Sequence, residues 1–191
     1  MGQIVLTDAS PIVYLARLDG GLSWLKEIFV RVSMTPTVSG ELLPNHDVPG
    51  KAAIESALAS GVLAEIEAPW LTPDFPGLDP DEESTLRAAV NLVQSGSSVL
   101  VLIDEKDGRR ALEKVQSTSL VVSGTAAVVS RARELGLIVS AIEVFEELRR
   151  LGFRVSDQVV RRALVRAGEN PQLWPPVEST KVERSPSRRR T

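Results

Sequence analysis

The sequence predicts an α/β fold in which helices cover a mainly parallel β-sheet. Short apolar runs alternate with segments of helical periodicity from residue 3 to about residue 167, a pattern typical of parallel sheets. The run VLVLI at 99–103 is apolar and rich in β-branched residues, as expected of a strand buried on both faces. With 191 residues, 43% of them hydrophobic, the chain is long enough to bury a full core.

Turn and capping residues set the bounds of each predicted element. Gly20-Gly21, Ser60-Gly61 and Gly136 end helices, and Pro36 and Asp79-Pro80 begin them. Ser10 is a favourable N-cap with Pro11 at the first helical position. The predicted strands cover 3–6, 30–34, 62–66, 99–103 and 119–122. The predicted helices cover 10–18, 22–29, a segment from 36, 51–59, 80–94, 106–115, 126–135, 140–151 and 156–167, with loops at 44–49 and 68–77.

We expect one domain over residues 1–167 and a disordered Pro-, Ser- and Arg-rich tail over 168–191. The absence of cysteine excludes thiolate zinc sites and a cysteine nucleophile, and is typical of cytoplasmic proteins. The single histidine, His46, leaves no multi-histidine zinc site. No signal-peptide pattern and no apolar run of about 20 residues is present. We therefore expect a cytoplasmic protein with no membrane partner.

Acidic side chains interrupt the chain beside apolar runs at four places. Asp8 follows the first predicted strand and Asp104 follows the strand at 99–103, whereas Glu41 and either Glu82 or Glu83 lie on helices. Ligands of parallel sheets bind outside the carboxyl ends of the strands, where Asp8 and Asp104 are both predicted to lie. Burying a lone carboxylate costs several kcal/mol unless a cation or a donor compensates it. Together the acids predict one pocket for a divalent metal.

Hard oxygen ligands of this kind suit Mg²⁺ or Mn²⁺. Such an ion activates water and neutralises phosphate charge, as phosphodiester hydrolysis requires. Each acid taken singly has a simpler interpretation, as a strand-ending, helix-capping or solvated residue.

The sequence argues against two other classes of protein. There is no GxxxxGK[ST] or GxGxxG for a nucleotide, and the segment LVVSGT lacks the lysine that a phosphoacceptor domain requires.

Five segments follow one another in a characteristic order: IVLTDASPIVYLARL with Asp8 and Ser10, TPTVSGELL with Glu41, LDPDEESTLRAA with the third acid, VLVLIDEKDGRRALEKV with Asp104, and LVVSGTAAVVSRARELGLI with a Gly-Thr helix start. Over about residues 3 to 167 the chain therefore resembles the PIN-domain family. The third segment resembles the branch of the family that uses Glu, and Asp81 stands where that branch usually has glycine. Glu82 is preferred over Glu83 because it places Leu86 and Ala89 on the buried side.

The resemblance implies a three-layer α/β/α fold and a Mg²⁺- or Mn²⁺-dependent endoribonuclease. It implies catalytic and metal-binding roles for Asp8, Glu41 (directly or through water), Glu82 and Asp104, with Glu83 as the alternative to Glu82. Ser10, Glu105 and Thr125 would support the site, and Lys106, Arg109 and Arg110 would contact RNA. Many bacterial and archaeal members are VapC-like toxins, so the resemblance also implies an antitoxin partner and a homodimer. A catalytically inactive member that binds RNA or protein remains the alternative.

Overall fold

The computed structural model describes residues 2–43, 49–67 and 75–175. His46 and residues 176–191 of the predicted tail lie outside these ranges, as do most of the predicted loops at 44–49 and 68–77.

A parallel sheet forms the centre of the molecule. Its five strands, in the order β3-β2-β1-β4-β5, are all parallel, which confirms the predicted fold class. The strands are β1 (Ile4–Thr7), β2 (Val32–Met34), β3 (Leu63–Glu65), β4 (Val99–Leu102) and β5 (Leu120–Ser123). Because all strands point the same way, their carboxyl ends share one edge of the sheet.

Nine α-helices connect and follow the strands within the described residues. In chain order they are α1 (Ala9–Ala16), α2 (Gly21–Phe29), α3 (Pro36–Leu42), α4 (Lys51–Ala59), α5 (Pro80–Gln94), α6 (Lys106–Glu113), α7 (Thr125–Glu134), α8 (Ala141–Arg150) and α9 (Asp157–Arg166).

Successive side chains of each strand point to opposite faces of the sheet, so the core has two layers. Val5, Leu100 and Leu102 face one layer, which includes residues of α1, α2, α7, α8 and α9. Leu6, Val101 and their neighbours face the other, which α5 and α6 cover. The predicted three-layer arrangement is therefore confirmed. The α8 residues Phe145 and Leu148 are buried in the first layer, so this helix packs in the core of its own chain.

Most predicted boundaries shift by one or two residues in the structure, and two of these shifts have a clear physical cause. Asp8, with extended backbone, is the N-cap of α1, so Ser10 lies inside the first turn and does not cap the helix. Val30 has a positive φ of 67°, a conformation that a β-branched residue rarely adopts. Because such a residue cannot extend a strand, β2 begins at Val32 and not at the predicted residue 30.

The ordered chain continues beyond the predicted domain end at residue 167. Trp174 is only 1% exposed. Its ring contacts Phe145 edge-on, and its indole N–H donates to Asp157 at 3.0 Å. The Glu169 carboxylate accepts the backbone N–H groups of Ala141 and Ile142 at 2.7 and 3.1 Å. The predicted boundary is therefore too early, since a single tryptophan in a Pro-rich stretch gave no periodic signal.

Within the ranges that the structure describes, no helix has the length and apolar character needed to cross a bilayer.

Candidate active site

Asp8 lies where the two central strands end. It directly follows β1, and its backbone N–H donates to the Leu102 carbonyl at the end of β4, at 3.0 Å. Thr7 and Leu102 are register partners in the parallel pair. This pairing fixes the Asp8 carboxylate at the carboxyl edge of the sheet, where the sequence predicted it.

Acidic side chains from three other segments meet beside Asp8. The Thr35 and Ser84 hydroxyls hydrogen-bond at 2.6 Å, which holds the start of α3 against α5. This contact brings Glu41 of α3 close to the acidic start of α5. A cavity of about 410 Å³, here called the acidic pocket, is lined by Asp8, Ser10, Glu41, Asp79, Pro80, Asp81, Glu82 and Glu105.

Two buried carboxylate oxygens of the acidic pocket have no hydrogen-bond partner within the described ranges. Asp8 is 1% exposed and Glu82 is 6% exposed. Asp8 Oδ1 and Glu82 Oε1 are both buried and unpartnered among the described residues. The other Glu82 oxygen, Oε2, accepts the Asp79 backbone N–H at 3.3 Å. A buried polar atom without a partner costs free energy, so these two oxygens have the capacity to bind a cation or a hydrogen-bond donor.

Burial and neighbouring acidic groups raise the pKa values of three acids in the pocket. Burial, and then the negative charge of Asp81, raise the pKa of Asp8 to about 8. Burial and a hydrogen bond to Asp81 raise the pKa of Glu41 to about 7, although Glu41 is exposed enough for water to screen part of this effect. Burial also raises the pKa of Glu82. A cation in the acidic pocket would reverse these shifts, because it favours the ionised forms.

The structure separates Glu82 from Glu83. Glu82 lines the acidic pocket. Glu83 instead pairs with Arg87 at 2.7 Å and accepts the Phe75 backbone N–H at 3.2 Å. The hydrogen bond from Arg87, and then the one from Phe75, lower the pKa of Glu83. Of the two alternatives, only Glu82 therefore lies beside Asp8.

Asp104 stands apart from the acidic pocket. Its Oδ1 accepts the Thr125 backbone N–H at 2.9 Å, and its Oδ2 accepts the Thr125 hydroxyl at 2.5 Å. Thr125 is the first residue of α7 after the N-cap Gly124. A Cβ on Gly124 would meet Asp104 Oδ1 at 2.5 Å, so the Gly-Thr pair makes this contact possible. Burial raises the pKa of Asp104 to about 6, although the Thr125 hydrogen bonds lower it.

Two of the three predicted supporting residues, Ser10 and Glu105, line the acidic pocket, whereas the third, Thr125, binds Asp104. The Ser10 hydroxyl donates to Glu105 Oε1 at 2.6 Å. Gly108, in α6, lets that helix approach the site, since a Cβ there would meet Glu82 Oε1 at 2.9 Å and Ile103 Cδ1 at 2.4 Å.

The three basic residues predicted to contact RNA differ in their surroundings. Lys106 and Arg110 are exposed, and Arg110 faces Asp107 at 3.5 Å. Arg109 Nη1 donates to the carbonyls of Ile103 and Ser123 at 2.9 and 2.6 Å. Arg109 therefore holds the ends of β4 and β5 together. The sequence did not indicate this structural role.

The sequence did not single out Asp79, which also lines the acidic pocket. Its position before Pro80 identified it only as the start of a helix. The signal that could have found it is the spacing of Asp79 and Glu82, because an N-cap residue and the third residue after it face each other across the first turn.

The donor set of the acidic pocket fits a hard divalent cation. The available ligands are carboxylate oxygens, which Mg²⁺ and Mn²⁺ prefer, and two of them are buried and unpartnered. Among the described residues, no three acidic or histidine side chains already stand close enough to hold a metal ion. Binding therefore requires the carboxylates to approach a common point, as expected of like charges with no cation between them.

A family model described as PIN domain matches residues 4–169. The match includes all four acids at which the sequence predicted the site. No curated protein and no solved structure matches the chain significantly.

Proposed function

The chain belongs to the PIN-domain family, and we propose that it is a Mg²⁺- or Mn²⁺-dependent endoribonuclease. PIN domains are generally nucleases that use divalent metals. The observation that carries the proposal is the pair of buried, unpartnered oxygens, Asp8 Oδ1 and Glu82 Oε1, in a pocket of raised-pKa carboxyls. A pocket of this kind is costly for the fold alone, so a functional ligand accounts for it best.

Each acid has a distinct part in the proposed site. Asp8 and Glu82 supply the unpartnered oxygens and would hold the metal. Glu41, at the more exposed side, would join them directly or through water. Asp104, oriented by Thr125, would complete the negative field, and Ser10 would orient Glu105 at the rim. When bound, the divalent ion supplies activation of water and neutralisation of phosphate charge.

The test is RNA cleavage with Mn²⁺ and with chelator. Wild type should cleave single-stranded RNA only with metal. Asp8→Asn should cleave at least about 100-fold more slowly, because mutating residues that only support the metal ligands already lowers metal affinity or activity by about 10–100-fold. Asp107→Asn, an exposed acid on α6, is the matched control and should keep its activity. Equal rates in Asp8→Asn and wild type would refute the assignment.

We further propose that the enzyme is the cytoplasmic toxin of a toxin–antitoxin pair and acts as a homodimer. This step rests on the VapC-like resemblance of the motifs alone. Induced expression should then arrest bacterial growth, and Asp8→Asn should not. Growth unaffected by an active enzyme would show that RNA cleavage serves another purpose. The molar mass in solution tests the dimer.

A second function is an inactive PIN-fold module that binds RNA or protein. The observation that favours it is the spacing of the carboxylates, since no three of the described acids are close enough to share a metal ion. This module would show the same melting temperature with Mn²⁺ as with chelator, whereas the nuclease should be stabilised by the metal.

A further inference from the structure

A second cavity, of about 790 Å³, lies between α6, β5, α7 and α9 and is basic. It is here called the basic groove. Its walls carry five exposed cations: Lys106 and Arg110 on α6, Arg154 before α9, and Arg162 and Arg166 on α9. Arg109 also lines it but is bonded to backbone carbonyls. The acids that line it are Asp104 and Glu113, so positive charge exceeds negative charge in a protein whose net charge is −3.

The groove cations are available to a ligand. Lys106, Arg154, Arg162 and Arg166 form no ion pair or hydrogen bond within the part of the chain that the structure describes, and Arg110 has only the exposed contact to Asp107 at 3.5 Å. Arg162 and Arg166 stand one turn apart on the same face of α9. Neighbouring cations without anionic partners repel each other, and a bound anion relieves that repulsion.

The basic groove adjoins the acidic pocket. Asp104 lines the groove while its neighbour Glu105 lines the pocket. Tyr14 is near enough to residues of both cavities for their charges to act on its pKa. Burial raises its pKa, the charges of Glu105 and Asp104 raise it further, and the charges of Arg17 and Arg154 lower it. An anionic chain bound in the groove therefore passes next to the acids.

We propose that the basic groove binds the phosphate backbone of the single-stranded RNA on which the acidic pocket acts. This inference rests on the proposed function. The wall on the α9 side is formed by Arg154, Arg162 and Arg166. The sequence motifs did not indicate this part of the site. No aromatic side chain of the described residues lines the groove, so bases have no stacking platform there. Binding is therefore electrostatic and independent of RNA sequence.

The test measures binding without cleavage. Fluorescence anisotropy of a labelled, unstructured RNA in chelator gives the Kd at several salt concentrations for wild type and for Arg162→Ala/Arg166→Ala. We expect the double variant to bind about 10-fold more weakly or worse. Its slope of log K against log salt should be smaller by about 1.4, because each lost phosphate contact on a single strand removes about 0.7.

The matched control is Lys26→Ala/Arg31→Ala, which removes the same charge from exposed positions before β2, at the opposite end of the strands. This control should bind within about twofold of wild type. Equal losses in the two double variants, or no loss in the groove variant, would overturn the proposal. It would also be overturned if an acidic peptide, and not RNA, lost affinity in the groove variant. That result would assign the groove to a protein partner.

The outcome is separable from that of the proposed function. Groove-dependent RNA binding by a wild-type protein that cleaves no RNA would keep this inference and refute the nuclease. Metal-dependent cleavage with unaltered RNA binding in the groove variant would do the reverse. Both α9 positions are exposed, so the variants should fold, and Arg154→Ala, outside the helix, tests the same wall independently.

Discussion

Thr125 binds both oxygens of the Asp104 carboxylate, one through its backbone N–H at 2.9 Å and one through its hydroxyl at 2.5 Å. Asp8 and Glu82, in contrast, each keep one buried oxygen without a partner. Asp104 is therefore positioned by its own chain, whereas Asp8 and Glu82 have capacity for a further ligand. This difference separates Asp104 from Asp8 and Glu82 among the predicted acids.

Removing the Thr125 hydroxyl should loosen Asp104. Thr125→Val keeps the side-chain volume but removes a hydrogen bond that lowers the Asp104 pKa, so that pKa should rise above about 6. The pH at which Mn²⁺-dependent cleavage reaches half its maximum should rise with it. Stability at neutral pH should fall by about 1–2 kcal/mol. Urea unfolding and a pH–rate profile measure both effects, with Thr118→Val at an exposed position as the control. An unchanged profile would separate Asp104 from the reaction.

Glu82 and Glu83 should behave differently although they are neighbours. Glu82→Gln removes an acid that lines the acidic pocket, and cleavage should fall at least about 100-fold. Glu83→Gln loses only the contacts to Arg87 and Phe75, so cleavage should stay near the wild-type rate with a slightly lower melting temperature. Cleavage assays on the two purified variants make the comparison. Loss of activity in Glu83→Gln alone would reverse the assignment.

The metal-free protein should lose stability as pH rises. The native state holds protons on Asp104, Glu41 and Asp8 up to about pH 6, 7 and 8, whereas the unfolded chain releases them near pH 4. The native state thus binds more protons in this range, and the free energy of unfolding falls as pH rises. The contribution is fully present below about pH 4, falls as pH rises further, and is fully lost once pH has passed the native pKa values of about 6 to 8.

Urea unfolding in chelator at several pH values measures this dependence. Asp8→Asn should flatten its upper part, since that variant has no proton to lose at this position. Mn²⁺ should restore stability at the alkaline end, because the ion replaces the protons. Wild-type stability that stays constant or rises from about pH 5 to 8 would show that the acids are not held protonated.

Local sequence patterns predicted the fold because alternating apolar runs and capping residues reflect local structure. The strand at 99–103 and the acids Asp8 and Asp104 at the carboxyl edge follow from such patterns. Contacts between segments distant in sequence do not follow from local patterns. Sequence spacing could not show that Arg109 would bond the carbonyls of Ile103 and Ser123, or that Asp79 would join the acidic pocket. Nor could it place α9 opposite α6 in one basic groove, since residues 106 and 162 meet only through the fold.

The segment after residue 167 should contribute to stability. A chain ending at residue 167 lacks the Glu169 carboxylate on the α8 N-terminus and the buried Trp174. We expect a loss of several kcal/mol, since truncating a buried Trp to Ala alone costs about 3–5 kcal/mol. A chain ending at residue 175 is the control and should melt near the full-length temperature. Equal melting of the two shortened chains would contradict this account.

Calorimetric titration with Mn²⁺ is the decisive measurement for the proposed nuclease, because RNA cleavage depends on an ion in the acidic pocket. We expect saturable binding to wild type that strengthens as pH rises through the pKa range of the acids. Binding should weaken at least about tenfold in Asp8→Asn and in Glu82→Gln, and should stay unchanged in Glu83→Gln. No binding to wild type, or equal binding in all four proteins, would show that the acidic pocket does not hold the metal.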